Sequence, residues 1–299
     1  MIESHINGSD GHQIQVYTWP VEAATAWVHI NHGMAEHAAR YDRLAQCLNE
    51  AGYSVVAHNH RGHGTSETTQ LGHYADQQGW NKVLNDIDTV RDACCSPELP
   101  YYLMGHSMGS FIVQSYLVNT ERKIDALILS GSNYQAAGLA KAGLAVAKFE
   151  RWRLGADKPS KLLQFVSFGS FNQAFKPNRT DFDWLSKDHT EVDKYVNDPL
   201  CGFDCTTQLW VDMLSGLIGL FTPASFNKIQ KELPIYIFGG QNDPVGEKGK
   251  GIPKLAAAYN QSGHNNVTMK LYQDGRHEML NESNKEEVST GIIEWLKKV

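Results

Sequence analysis

Short and nearly continuous apolar runs recur along the chain, at residues 26–30, 54–57, 101–104, 126–129, 235–238 and 269–272. Strands covered on both faces lose the in-out alternation, because neither side meets water. The opening, residues 4–19, does alternate, around Gly8-Ser9-Asp10-Gly11, and predicts an antiparallel hairpin. Between the runs, apolar residues return at helical spacing. Tyr41, Leu44, Ala45, Leu48 and Ala51 share one face, Val83, Ile87, Val90 and Ala93 another, and Ile292, Ile293 and Leu296 close the chain on a third. Strands alternating with helices predict an α/β fold with a mostly parallel sheet and helices on both sides.

The stretch between the strand ending at Leu129 and the strand opening at Ile235 breaks this rhythm. It is too long for a plain loop in a compact domain. It holds helical patterns of its own, with Leu139, Ala142, Val146 and Phe149 on one predicted face and Leu209, Met213 and Leu217 on another. Gly138 and Gly143 weaken the first. The expected organisation is a core of residues 1–134, an inserted helical cap of residues 135–231, and a resumed core of residues 232–299.

Composition narrows the function. The chain has 299 residues, 41% of them hydrophobic and 20% charged, which is ordinary for a globular protein. Lys and Arg number 27 against 33 Asp and Glu, a formal charge of −6, so a nucleic-acid footprint is not expected. No apolar run is long enough to span a bilayer, and Met1-Ile2-Glu3-Ser4-His5 does not open a signal peptide. The five cysteines include no C-x-x-C pair. Buried free thiols in a reducing cytoplasm are the expectation.

Gly105-His106-Ser107-Met108-Gly109 follows directly on the run at 101–104, and a helix-like run, 111–117, follows it. Strand, sharp turn, then helix is the setting in which G-x-S-x-G presents a nucleophilic serine above a sheet edge. The turn strains the serine backbone, and small neighbours tolerate it. A serine hydroxyl needs a base. In this architecture acid and histidine follow on late strand-end loops. His277 lies just past the last predicted strand. Asp243 lies just past the strand at 235–238 and would orient the imidazole; Asp274 is the rival acid. Two backbone amides must hold the oxyanion. Met108, after the nucleophile, gives one. Met34, in the Asn31-His32-Gly33-Met34 loop, is the expected second. His58-Asn59-His60-Arg61-Gly62-His63 has the spacing of some binuclear metal sites. Gly62 stands where such sites need an aspartate, so no metal is expected there. Cys201 and Cys205 do not make a zinc site by themselves.

Together these motifs resemble the α/β-hydrolase superfamily, and within it the monoacylglycerol lipase and lysophospholipase branch. His32-Gly33-Met34-Ala35-Glu36-His37 with Arg40-Tyr41 is similar to that branch's HGxxEHxxRY. Residues His60 to Ser66 resemble its DHxGHGxS loop, with Asn59 where the branch usually has aspartate. Thr190-Glu191-Val192-Asp193-Lys194-Tyr195 with Asp198-Pro199-Leu200 resembles its TEVDxY…DPL segment. The resemblance implies an eight-stranded sheet with a cap, a Ser107–Asp243–His277 triad, Met34 and Met108 as oxyanion donors, and Tyr195 as a head-group contact.

The expected activity is therefore hydrolysis of carboxylic esters of single-acyl-chain lipids, monoacylglycerol or lysophospholipid, through an acyl-enzyme and without a cofactor. A thioesterase or an iminopeptidase-like enzyme would use the same triad, and a ligand-binding protein could use the same scaffold. A small lipid ester is the expected partner and a monomer the expected state. The segment 139–154, apolar residues followed by Lys148, Arg151 and Arg153, is a candidate for peripheral contact with a membrane surface.

Overall fold

The computed structural model describes residues 1–65 and 70–299. Ser66, the last residue of the DHxGHGxS-like loop, lies outside the described residues. Each predicted strand is present, extended by one or two residues: β1 (Ile2–Asn7), β2 (Gln13–Trp19), β3 (Ala26–Asn31), β4 (Tyr53–His58), β5 (Tyr101–His106), β6 (Ala126–Ser130), β7 (Ile235–Gly240) and β8 (Val267–Tyr272). They form one sheet in the order β1-β2-β4-β3-β5-β6-β7-β8. Only β2 runs against the others. The first hairpin closes at the glycine turn, where Gly11 N–H donates to Gly8 O at 3.0 Å.

The helices are α1 (Asp42–Glu50), α2 (Gly79–Cys94), α3 (Met108–Asn119), α4 (Ala137–Leu154), α5 (Lys161–Gln164), α6 (Ser170–Asn172), α7 (His189–Asn197), α8 (Thr207–Leu217), α9 (Pro223–Phe226), α10 (Gly251–Gln261) and α11 (Lys285–Leu296). α2, α3 and α10 cover one face of the sheet, and α1 and α11 the other. The strand side chains divide between these layers by the two-residue period. Leu103, Ile235 and Ile237 join the first, and Tyr102, Met104, Tyr236 and Phe238 the second. The edge strand β8 is half exposed, unlike the fully buried β3 to β7.

Helices α4 to α9 lie between β6 and β7. α8 buries Leu209, Met213 and Leu217 as their spacing predicts. α4 is reversed relative to its pattern. It buries Ala140, Ala147 and Glu150, while Leu139 and Trp152 are 67% and 81% exposed and Phe149 also faces outward. The larger side chains do not mark the packing side, because α4 lies against α8 through small residues. A Cβ at Gly143 would stand 3.5 Å from the Leu214 methyls. All five cysteines are free; only Cys205 is buried, the other four half-buried.

Candidate active site

β5 ends at His106 and α3 begins at Met108, so Ser107 alone makes the turn, with φ 51° and ψ −119°. Such a conformation costs on the order of 1–3 kcal/mol. Hydrogen bonds hold it there. Ser107 N–H donates to Ser130 O at the end of β6 (2.9 Å), and Ser107 O accepts from both Ser110 N–H (2.9 Å) and Ser110 Oγ (2.6 Å). Close approach explains the flanking glycines. A Cβ at Gly109 would lie 2.1 Å from Asn31 O, and one at Gly105 would lie 2.4 Å from Gly109 O.

His277 and Asp243 meet as expected. His277 Nδ1–H donates to the Asp243 carboxylate, 3.0 Å from each oxygen. Both side chains are essentially buried, and Asp243 also accepts from Val245 N–H at 2.8 Å. Burial alone would push the imidazole pKa down. The Asp243 charge and hydrogen bond, reinforced by Glu278 and Glu36, outweigh burial and leave it above the ordinary value. The rival Asp274 is exposed and sets its turn at φ 57°.

Ser107 reaches the same rim. The ring of its neighbour His106 stands 4.8 Å from that of His277. A Cβ at Gly131, at φ 57° just past β6, would lie 2.9 Å from His277 Cε1 and 3.1 Å from His106 Cε1. Ser107 is half-buried, and among the described residues its hydroxyl makes no hydrogen bond. The Asp243–His277 hydrogen bond is thus formed while the Ser107 hydroxyl stands without a hydrogen bond to the imidazole.

The second loop, after β3, approaches from the other side, where a Cβ at Gly33 would lie 3.3 Å from Ser107 Cβ. Among the described residues, neither the Met34 amide nor the Met108 amide has a protein acceptor. Met108 is the first residue of α3, where helix amides are unpaired and the dipole favours negative charge. Ala35, at φ 55°, is fixed on both sides. Its N–H donates to His63 Nε2 (3.2 Å), and its carbonyl accepts from Tyr195 Oη (2.8 Å) and Gly202 N–H (2.9 Å). Tyr195 is buried and its hydroxyl is committed to this brace, so it does not stand open to a head group here.

Around this rim lie side chains to which the sequence reading gave no role, some of them, such as Glu36 and Arg40, inside a matched motif. Glu36 accepts from Gly33 N–H (2.6 Å), Tyr41 Oη (3.0 Å) and Arg40 (2.5 Å), and Arg40 forks onto both oxygens of Glu278 (2.8 and 2.7 Å). Burial would raise both carboxyl pKa values, but Arg40 holds them below the ordinary range. Trp184, from the segment between α6 and α7, lays its ring 5.0 Å from that of His277, and Phe168 stacks on Trp184 at 5.6 Å. Asn59, in place of aspartate, keeps the loop anchored. Its Oδ1 accepts from Ala38 N–H (2.7 Å) and its Nδ2 donates to Gln15 Oε1 (2.6 Å), a donation no carboxylate could make. The histidines near it are buried and held neutral, His58 pushed down to about 3 and His63 to about 4. His32 and His63 spend their ring nitrogens on backbone groups.

The family model described as serine aminopeptidase, S33, matches residues 22–284. The chain belongs to this family. It is a serine hydrolase of the α/β-hydrolase superfamily, similar to the monoacylglycerol lipases. The serine hydrolase is 30% identical to the monoglyceride lipase of Mus musculus over 278 residues, 91% of this chain and 82% of the relative. It is 27% identical to the monoacylglycerol lipase of Mycolicibacterium smegmatis, over 89% of this chain and 85% of that one. A solved structure, a thermostable carboxyl esterase from Bacillus coagulans in complex with glycerol, superposes with a TM-score of 0.91 at 27% identity, covering 100% of this chain and 98% of the other. Among the described residues no helix is long and apolar enough to cross a membrane.

Proposed function

We propose that this lipid ester hydrolase acts on esters carrying a single acyl chain, monoacylglycerol or lysophospholipid, through Ser107, His277 and Asp243. The observation that carries the reading is the buried Asp243–His277 hydrogen bond on the rim that also holds the strained Ser107 turn. His277 Nε2 takes the Ser107 proton as Oγ attacks the ester carbonyl. Asp243 keeps the Nδ1–H tautomer and stabilises the imidazolium. The Met34 and Met108 amides hold the oxyanion. Collapse of the tetrahedral intermediate expels the alcohol, protonated by His277. Water, deprotonated by His277, then releases the fatty acid.

The single-chain preference draws support from the curated relatives and from the aromatic stack beyond His277. Residues 135–231 are, in this reading, the cap over the nucleophile. The outward side of α4 would rest on a lipid surface. Exposed Leu139, Phe149 and Trp152 share α4 with exposed Lys141, Lys148 and Arg151, the composition of an interfacial helix drawn to anionic lipid.

The test is a panel of monoacylglycerols, lysophospholipids, acyl thioesters and amino-acid arylamides, run with Ser107→Ala and with fluorophosphonate labelling. Turnover of single-chain esters that drops on the order of a million-fold in Ser107→Ala, with labelling confined to Ser107, is the expected result. Near-wild-type turnover in that variant overturns the assignment.

A further inference from the structure

His37, Asp198 and Cys201 lie outside the catalytic machinery, and each offers one ligand atom within 4.8 Å of the other two. Two distant segments bring them together. His37 ends the oxyanion loop, three residues past Met34. Asp198 and Cys201 are the first and last residues of a turn closed by Cys201 N–H donating to Asp198 O (3.0 Å), with Pro199 second. Proline suits that position because its φ is already set. The turn fixes carboxylate and thiol relative to each other. Leu200 N–H takes Asp198 Oδ1 (2.8 Å), leaving Oδ2 for His37 Nε2 (2.8 Å). Asp198 is 29% exposed, which gives an ion a way in.

We propose that these three side chains bind a divalent transition metal of the zinc class, which clamps the oxyanion loop to the insert and slows turnover. The donor set of imidazole, thiolate and carboxylate suits zinc and not the hard cations calcium and magnesium. Bond lengths of about 2.0–2.3 Å put tetrahedral ligand atoms roughly 3.3–3.7 Å apart. The Cys201 sulfur must close by roughly 1 Å and His37 Nε2 and Asp198 Oδ2, now 2.8 Å apart, must open by roughly 0.5 Å, both within reach of side-chain rotation. Three protein ligands leave the fourth position to water.

The balance of charge favours a cation. Glu36, Glu278 and Asp198 stand near Cys201 against the single guanidinium of Arg40. Burial holds the Cys201 thiol protonated. Binding therefore expels one proton from sulfur to solvent, while His37 shifts its own proton to Nδ1 and gives up its hydrogen bond to Asp198. Ala35 is already tied to the insert through Tyr195 and Gly202, on either side of the site. A metal replaces the third tie, the His37–Asp198 hydrogen bond, with coordinate bonds that also engage Cys201, and so stiffens the loop bearing Met34. The effect on turnover rests on the reading of Met34 as an oxyanion donor; the binding does not.

Titration with Co²⁺ as the probe tests the site directly. One equivalent should give thiolate-to-metal charge-transfer absorption in the wild-type protein. Cys201→Ser should abolish it, and His37→Gln should weaken affinity at least tenfold. Zn²⁺ should inhibit hydrolysis of a soluble ester by the wild type and not by Cys201→Ser. No charge-transfer band in the wild type, or the same band in Cys201→Ser, overturns the site. A band lost in Cys201→Ser without Zn²⁺ inhibition of the wild type overturns the clamp. A protein that fails to label at Ser107 yet shows the band refutes the hydrolase mechanism and not the metal site.

Discussion

Arg40 joins Glu278, the residue beside His277, to Glu36, which fixes the Gly33 amide of the oxyanion loop. One guanidinium thus ties the loop that carries His277 to the loop that carries Met34, and its Cζ lies 4.9 Å from the centre of the Tyr195 ring. The Arg40 side chain is only 13% exposed, so its removal leaves two carboxylates buried without a counter-charge. Breaking a buried pair in this way costs about 3–5 kcal/mol. Arg40→Met should lower stability by that amount in urea unfolding and reduce kcat with it. Arg40→Lys keeps the charge but loses the fork, and should fall between.

The pH profile follows from His277. The imidazole must be neutral to take the Ser107 proton, and its pKa lies above the ordinary value of about 6.5. The acid limb of kcat/KM should therefore sit above that pH, with activity rising as pH rises through it. Glu278→Gln removes one of the negative charges that favour the imidazolium. Its acid limb should move to lower pH, measured on a soluble ester. For stability the sign is opposite. A raised folded-state pKa contributes stability that is complete below about pH 6.5 and lost as pH rises through the folded pKa.

What the sequence revealed of this site was what local chain chemistry encodes. Ser107, its glycines, the hairpin at Gly8 to Gly11 and the strand runs are each specified by neighbours a few residues apart. Asp243 and His277 were legible because strand ends place them, not because of a pattern between them. The Arg40–Glu278 fork spans 238 positions, and no periodicity encodes it. Tyr195 matched a motif, yet the motif is silent on which polar group its hydroxyl meets. On α4 the apolar pattern identified a helix and missed its packing side, because small residues pack most closely and score as least hydrophobic.

Gly131 is the clearest steric test of the geometry. A methyl there would stand 2.9 Å from His277 Cε1 and 3.1 Å from His106 Cε1, at a φ of 57° that side chains resist. Gly131→Ala must displace the imidazole. Misplacing a catalytic group by about 1 Å can cost roughly 100-fold in rate. The left-handed backbone adds about 1–2 kcal/mol of instability. A loss in kcat of that order, in protein that still unfolds cooperatively, is the expected outcome of steady-state kinetics beside thermal melting.

The outward face of α4 separates lipid-surface binding from chemistry. Phe149 and Trp152 pair their rings at 5.8 Å on the solvent side, far from any role in packing the core. Full burial of a large apolar side chain is worth about 1.5–3 kcal/mol. Half of that, lost at both positions, is at least roughly a tenfold drop in partitioning. Phe149→Glu with Trp152→Glu should therefore reduce co-sedimentation with vesicles containing anionic lipid by at least that factor. The ratio of turnover on vesicle-borne monoacylglycerol to turnover on a soluble short-chain ester should fall in parallel. Raising the salt concentration should weaken wild-type binding as well, since Lys141, Lys148 and Arg151 act through charges that salt screens. Binding that is indifferent to both the double substitution and salt would place the lipid contact elsewhere on the molecule.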